Sequence, residues 1–318
     1  MKSPDAVTNE STTDLTWGPD IVDGYEQAAL DPAVLVRRTA RPEHPRASVL
    51  MVHGYNDYFF QTHTAEEFAA AGYVVYGVDL RRAGRALRDG DRPHDMSDVS
   101  EPGDDIAAAA RVVVAENPDL PLVVYAHSTG GLTASIWAAD RPHPALAALV
   151  LNGPLFGLRF RRSQQMALRL LPVLARVKPH AIVSSAPSVY SHHLLSANGG
   201  RWDFNTDWKK PRGVPATASW INAVRRAQGR IRRGLGIGVP VLVARSATTG
   251  PERADNPLLD AQDVVTDVDA CAVLAPKLGS DVESLIVEGA VHDLALSAEE
   301  PRAVFFESMF AWLEKELP

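Results

Sequence analysis

The sequence predicts an α/β fold, a mostly parallel sheet with helices on both faces. Three observations carry that prediction. Short apolar runs rich in Val, Leu and Tyr alternate with stretches of helical length and pattern. The runs are almost continuously hydrophobic, as strands covered on both faces are. Reactive side chains fall just beyond the ends of several runs, where ligands sit in open α/β sheets.

Taken in order, residues 25–30 and 33–38 read as an antiparallel hairpin around Asp31-Pro32. The runs at 48–53, 73–79, 122–126, 146–152, 239–245 and 284–288 read as buried strands, each too short for a helix and close to turn residues. Helical patterns lie between the early ones, at 64–71, 103–116 and 130–140. Residues 300–317 form a closing helix, with Pro301 in its first turn.

The alternation stops after Asn152. From 153 to 235 the pattern is helical or irregular, and the charge changes with it. Fifteen lysines and arginines there stand against only Asp203 and Asp207, a net +13 inside a chain of net charge −7. Regular alternation resumes at Val239. The economical reading is a basic insertion (153–235) into one sheet built from 15–152 and 236–318. Residues 1–14 are polar and read as a disordered tail.

Composition excludes several classes. A chain of 318 residues buries a large core without staples. The single cysteine, Cys271, rules out an internal disulfide and sits among Ala, Val and Leu as a small buried hydrophobe would. The N-terminus lacks the apolar core of a signal peptide, and no apolar run is long enough to span a bilayer, so a cytoplasmic location is expected. Zinc-ligand spacing and the Gly-x-x-x-x-Gly-Lys phosphate loop are both missing, so no metal, organic cofactor or nucleic acid is expected.

The strand at 122–126 runs straight into Ser128, and Gly130-Gly131 opens a helix. A tight strand-to-helix turn of small residues lifts a serine hydroxyl above the sheet, at a helix N-terminus that favours developing negative charge. Ala126 stands where such turns usually carry glycine, and it is small enough to fit. A hydroxyl needs an adjacent base, and His292, between the last strand and the closing helix, has the right address. His127, inside the turn, should point away from the hydroxyl. An acid that orients the base should follow the run at 239–245. Asp255, Asp260, Asp263, Asp267 and Asp269 all lie there, and spacing alone does not choose among them. Two backbone amides, of Thr129 after the serine and of Tyr55 in the His53-Gly54-Tyr55-Asn56-Asp57 loop, are placed to form an oxyanion hole.

With these motifs in hand, the chain resembles the α/β-hydrolase superfamily, in its lysophospholipase and monoacylglycerol-lipase-like, or serine aminopeptidase-like, branch. The matching pieces are Val52-His53-Gly54, Gly77-Val78-Asp79-Leu80-Arg81, Ala126-His127-Ser128-Thr129-Gly130-Gly131 and Glu288-Gly289-Ala290-Val291-His292-Asp293. The resemblance implies an eight-stranded, mostly parallel sheet with a largely helical cap, 153–235, inserted after the sixth strand. It implies a triad of Ser128, Asp263 and His292. Asp263 is chosen through the pattern Asp263-Val264-Val265-Thr266-Asp267, with Asp267 the runner-up. The acid stands farther from its strand than is usual in that branch. Substrate contacts fall to His53, Gly54, Trp202 and Trp220, with Phe204 and Trp208 also in the aromatic set of the cap. Residues 166–177, which carry Arg169 and Arg176, resemble an amphipathic lid helix able to touch an anionic membrane.

The implied activity is cleavage of carboxyl esters with lipid-like or small hydrophobic acyl groups, through an acyl-enzyme. The same triad suits peptide or thioester cleavage. A non-catalytic ligand-binding protein on the same fold is the alternative of another class.

Overall fold

The computed structural model describes residues 15–159, 168–185 and 187–317. The expected tail at 1–14 lies outside them. Nine strands form one sheet: β1 (Gly18–Pro19), β2 (Tyr25–Ala29), β3 (Val34–Arg38), β4 (Ala47–Val52), β5 (Tyr73–Asp79), β6 (Leu122–His127), β7 (Leu146–Asn152), β10 (Val241–Ser246) and β11 (Val282–Val287). Their spatial order is β1-β2-β3-β5-β4-β6-β7-β10-β11. The first three strands are antiparallel, and every pairing from β5 to β11 is parallel.

The count is nine where eight were expected, because the two-residue β1 adds an edge. It is only two residues long, and its Gly-Pro pair reads as a turn, so it leaves no strand signal. A separate antiparallel pair, β8 (Ile182–Ser184) with β9 (Ala216–Thr217), lies between β7 and β10. The stretch expected to be a largely helical insertion therefore contains strands as well, and it follows the sixth strand only if β1 is left out of the count.

The described helices are α1 (Thr62–Ala70), α2 (Ser100–Glu116), α3 (Ser128–Asp140), α4 (Leu171–Val177), α5 (Val189–Leu194), α6 (Ala218–Arg232), α7 (Val268–Leu274) and α8 (Glu299–Glu316). Helices α2, α3, α6 and α7 cover one face of the sheet, and α1 and α8 the other. The alternation of strand side chains explains why both faces need cover. Leu50, Val52, Val124 and Ala126 point into one core, while Val49, Met51, Val123 and Tyr125 point into the other. Helix α6 belongs to the 153–235 stretch by sequence but packs in the main core, through Trp220, Ile221, Val224 and Ile231.

Two elements differ from expectation. The strand expected at 284–288 spans Val282–Val287 and is an edge, with Ile286 51% exposed. An apolar run does not reveal that only one neighbour pairs with it, and Glu283 supplies the charge that edges commonly carry. The lid helix expected at 166–177 is described only as Leu171–Val177, with positions 166 and 167 outside the described residues.

The Gly77-to-Arg81 motif has a structural reason. Asp79 accepts from the Phe59 amide at 2.6 Å and pairs with buried Arg85 at 2.9 Å. Arg85 also pairs with Asp20 at 2.5 Å. This knot ties the end of β5 to the loop that leaves β4, the loop that borders the site.

Candidate active site

Ser128 is the first residue of α3, directly after β6. His127 is still extended, with φ −103° and ψ 140°, whereas Ser128 has φ +52°, a conformation that costs energy for a residue with a β-carbon. Close approach of other chain segments explains the neighbouring glycines. A β-carbon on Gly130 would stand 2.3 Å from the His53 carbonyl oxygen, and one on Gly54 would stand 2.9 Å from the Ser128 β-carbon. The loop carrying Tyr55 is thereby pressed against Ser128. Ala126, where glycine was usual, is fully buried and accommodated.

Ser128 Oγ and His292 Nε2 are 2.9 Å apart, and His292 Nδ1 and Asp263 Oδ2 are 2.8 Å apart. All three side chains are buried. Burial pushes the Asp263 carboxyl up, but the His292 imidazole and the hydrogen bonds from Thr266 outweigh it and hold the carboxyl below its usual range. An ionised Asp263 only accepts, so Nδ1 of His292 carries the proton and Nε2 faces Ser128 as acceptor. The Val265 and Thr266 amides, at 2.8 and 2.7 Å, and the Thr266 hydroxyl, at 2.6 Å, donate to Asp263 and fix its plane.

The long interval before Asp263 has a physical account. The chain leaves β10, makes an excursion over 251–262, and returns. Asp263 then pairs beside the strand end, its amide donating to the Thr248 carbonyl and its carbonyl accepting from the Gly250 amide. Asp267 has other work: its side chain caps α7, accepting from the Asp269 and Ala270 amides at 3.1 Å each.

Thr129 lies in the first turn of α3, where amides have no helical acceptor. Tyr55, Gly54 and His53 border a cavity of about 30 Å³ together with Thr129 and Trp220. Trp220 stacks against Tyr55 at 4.3 Å. Trp202 lies elsewhere: it stacks on His63 at 4.2 Å and donates to the Leu296 carbonyl at 2.8 Å. Trp208 packs edge-on against Tyr58, and Phe204 against Phe60.

Some of the surroundings left no mark in the sequence. Asp57, one residue beyond the Tyr55-Asn56 pair, forms a buried ion pair with Lys209 at 3.0 Å, across 152 residues of sequence. Asn56 clasps Lys210, donating to its carbonyl at 2.9 Å and accepting from its amide at 2.8 Å. His127, by contrast, was expected to point away from the serine, and its Nδ1 lies 2.9 Å from the Asn152 carbonyl oxygen. Asp293 holds Gln61 and Asn152 behind His292. Asp57, His127 and Asp293 converge closely enough to hold a cation, but Lys209 already supplies the positive charge beside them.

The family described as Serine aminopeptidase, S33, matches residues 43–248. The match includes Ser128 and ends before Asp263 and His292. A stretch of 111 residues is 36% identical to the monoacylglycerol lipase of Mycolicibacterium smegmatis, covering 35% of this chain and 38% of that protein. Another of 131 residues is 25% identical to the phospholipase YtpA of Bacillus subtilis, covering 41% and 49%. The matches thus span less than half the length of these curated relatives. Among solved structures, a soluble variant of monoglyceride lipase from Saccharomyces cerevisiae, bound to a substrate analogue, is similar with a TM-score of 0.68 at 17% identity, over 98% of this chain and 97% of that one. The monoacylglycerol lipase of Paleococcus ferrophilus is similar with a TM-score of 0.63 at 19% identity, over 87% and 98%. These likenesses show the α/β-hydrolase fold, and the match over more than half the chain shows that it belongs to the serine aminopeptidase S33 family of α/β-hydrolases.

Proposed function

We propose that the protein is a serine hydrolase that cleaves carboxyl esters of lipid-like acyl substrates, with Ser128, His292 and Asp263 as its triad. The observation that carries the reading is the continuous chain of hydrogen bonds from Ser128 Oγ through both ring nitrogens of His292 to Asp263. Ser128 Oγ attacks the ester carbonyl carbon while His292 Nε2 takes its proton. The carbonyl oxygen becomes an oxyanion held by the Tyr55 and Thr129 amides. His292 then protonates the departing alcohol, leaving an acyl-serine. A water, deprotonated by His292, attacks that acyl group; the bond to Ser128 Oγ breaks, His292 returns the proton to Ser128, and the acid is freed. Asp263 stays ionised, keeps the imidazole tautomer, and stabilises the imidazolium in both halves.

The relatives that act on monoacylglycerols or phospholipids by name support an ester over a peptide. The part of the 153–235 insertion that precedes α6 is, in this reading, the cap. It reaches the oxyanion loop through Lys209, Lys210 and the Pro215 carbonyl, which accepts from the Tyr55 hydroxyl. Rates on monoacylglycerols and on p-nitrophenyl acyl esters should far exceed those on aminoacyl p-nitroanilides. Preference for the anilides would make the protein a peptidase.

We also propose that the cap touches anionic lipid surfaces. Leu170, Val173, Leu174 and Val177 are exposed around α4, beside exposed Arg169, Arg176 and Lys178. An apolar strip flanked by cations is the composition of an interfacial helix. None of the described helices is long and apolar enough to cross a membrane.

A further inference from the structure

The two ring nitrogens of His292 are spent on Ser128 and Asp263. The direction of the ring is therefore set by the backbone on either side of it and by what packs against its flank. The Val291 amide is closed locally, on the Ser297 hydroxyl at 3.0 Å. The Asp293 amide is closed from far away in sequence: it donates to the Tyr190 hydroxyl at 3.1 Å, across 103 residues. Tyr190 lies on α5, between β7 and β10. Its ring stands nearly perpendicular to the His292 ring, with centroids 6.0 Å apart and planes at 77°. One side chain thus holds the backbone just after His292 and packs against the imidazole itself.

Tyr190 is in turn held by the segments that carry the site. It is 8% exposed and shares an apolar cluster with Val264, next to Asp263, and Val291, next to His292. Its amide donates to Glu252 at 3.3 Å, and the Ser188 hydroxyl donates to the same carboxylate oxygen at 3.1 Å. One turn on, His193 pairs with Asp260 at 2.8 Å. Both carboxylates belong to the excursion over 251–262 that returns the chain to Asp263. The Ser191 hydroxyl accepts from Asn56 Nδ2 at 3.1 Å, in the loop that carries Tyr55. Helix α5 therefore touches the segments of the acid, the base and the proposed oxyanion donor.

The phenol carries no charge of its own. Burial, and then the Asp293 carboxylate, push it well above its ordinary value, so it stays protonated. Its oxygen serves as an acceptor for a buried amide, and a buried amide without an acceptor is costly. Removing that oxygen drives the Asp293 amide toward another partner, and the His292 backbone moves with it. Small misplacements of a catalytic group are expensive in rate. Resting on the hydrolase reading above, we infer that Tyr190 is a positioning residue of the reaction, holding the His292 imidazole in line with Ser128 and Asp263 through the Asp293 amide.

The wild type, Tyr190→Phe and Leu194→Ala test this on p-nitrophenyl butyrate, in thermal melts and in the low-field proton spectrum. There the His292 Nδ1 proton shared with Asp263 is assigned by its loss in His292→Gln. Tyr190→Phe keeps the ring and removes only the oxygen. It should lower kcat about tenfold and leave KM little changed, because His292 serves both halves of the reaction and slows them together. The Nδ1 proton resonance should shift or broaden. Leu194→Ala removes packing from the same helix and the same apolar cluster. It should lower the melting temperature yet keep the kcat and the resonance of the wild type. Tyr190→Phe with wild-type kcat, or with an unmoved resonance, overturns the positioning role. So does Leu194→Ala that lowers kcat as much as Tyr190→Phe, since any loosening of α5 would then suffice. A wild type that hydrolyses no ester overturns the hydrolase reading instead, and the resonance then decides by itself whether Tyr190 sets the imidazole.

Discussion

At the scale of single residues, the site depends on what each side chain is prevented from doing. Asp263 has its oxygens filled by two amides, one hydroxyl and one imidazole, so in the proposed triad it orients His292 rather than competing for the serine proton. Asp263→Asn should lower kcat on the order of 10⁴-fold, because the amide no longer enforces the tautomer. The same residue sets a pH dependence of stability. Its carboxyl lies below the unfolded value near 4. Its stabilising effect is therefore present above about pH 4 and lost as pH falls through the folded value. The difference in urea unfolding free energy between wild type and Asp263→Asn should persist at pH 5 and shrink below about pH 4. A difference that grows on acidification would contradict the assignment. Cys271 is chemically quiet: burial pushes its thiol up to about 12.

At the scale of elements, the loop leaving β4 is held from two sides. Asp79 and Arg85 tie it to the end of β5, while Asn56 and Asp57 tie it to Lys209 and Lys210 of the insertion. The proposed oxyanion donor Tyr55 sits just before those ties. Lys209→Met should leave the Asp57 charge buried and alone, costing about 3–5 kcal/mol of stability. Adding Asp57→Asn should recover much of that loss. Paired melts of the single and double variants measure it, and additive losses would show that the two groups do not act as a pair. The pairing of Asp57 with Lys209 was not readable in the sequence, because both partners lie in stretches whose local pattern says only loop. Ser128 was readable because strand, turn and helix are consecutive there, and His292 because it follows the last strand. Asp263 was not separable from its neighbours by spacing, since a twelve-residue excursion (251–262) precedes it and only tertiary pairing with Thr248 and Gly250 brings it back.

At the scale of the molecule, the alternation of apolar runs and helices was enough to predict the sheet, because a two-face-buried strand leaves a continuous signal. Edges were not predictable: β1 is too short to mark itself, and β11 has the apolar content of an inner strand. The boundary expected for an insertion was also blurred, because α6 is basic like the rest of 153–235 yet buries its apolar stripe in the main core. Charge is organised on the same scale, a basic segment on an acidic chain. If that segment meets anionic lipid, binding to phosphatidylserine vesicles should weaken as salt rises from 0.05 to 0.5 M, and Val173→Asp with Val177→Asp should weaken it further. Salt-independent binding would remove charge from the interaction.

The most direct measurement of the central claim is the site of covalent labelling. Intact wild-type protein is treated with a fluorophosphonate probe, digested and mapped by mass spectrometry, with p-nitrophenyl butyrate hydrolysis followed in parallel. The account predicts a single adduct on Ser128, loss of hydrolysis in step with labelling, and a Ser128→Ala variant that takes no label and falls on the order of 10⁶-fold in kcat. An adduct on another residue, or hydrolysis that survives in Ser128→Ala, would contradict it.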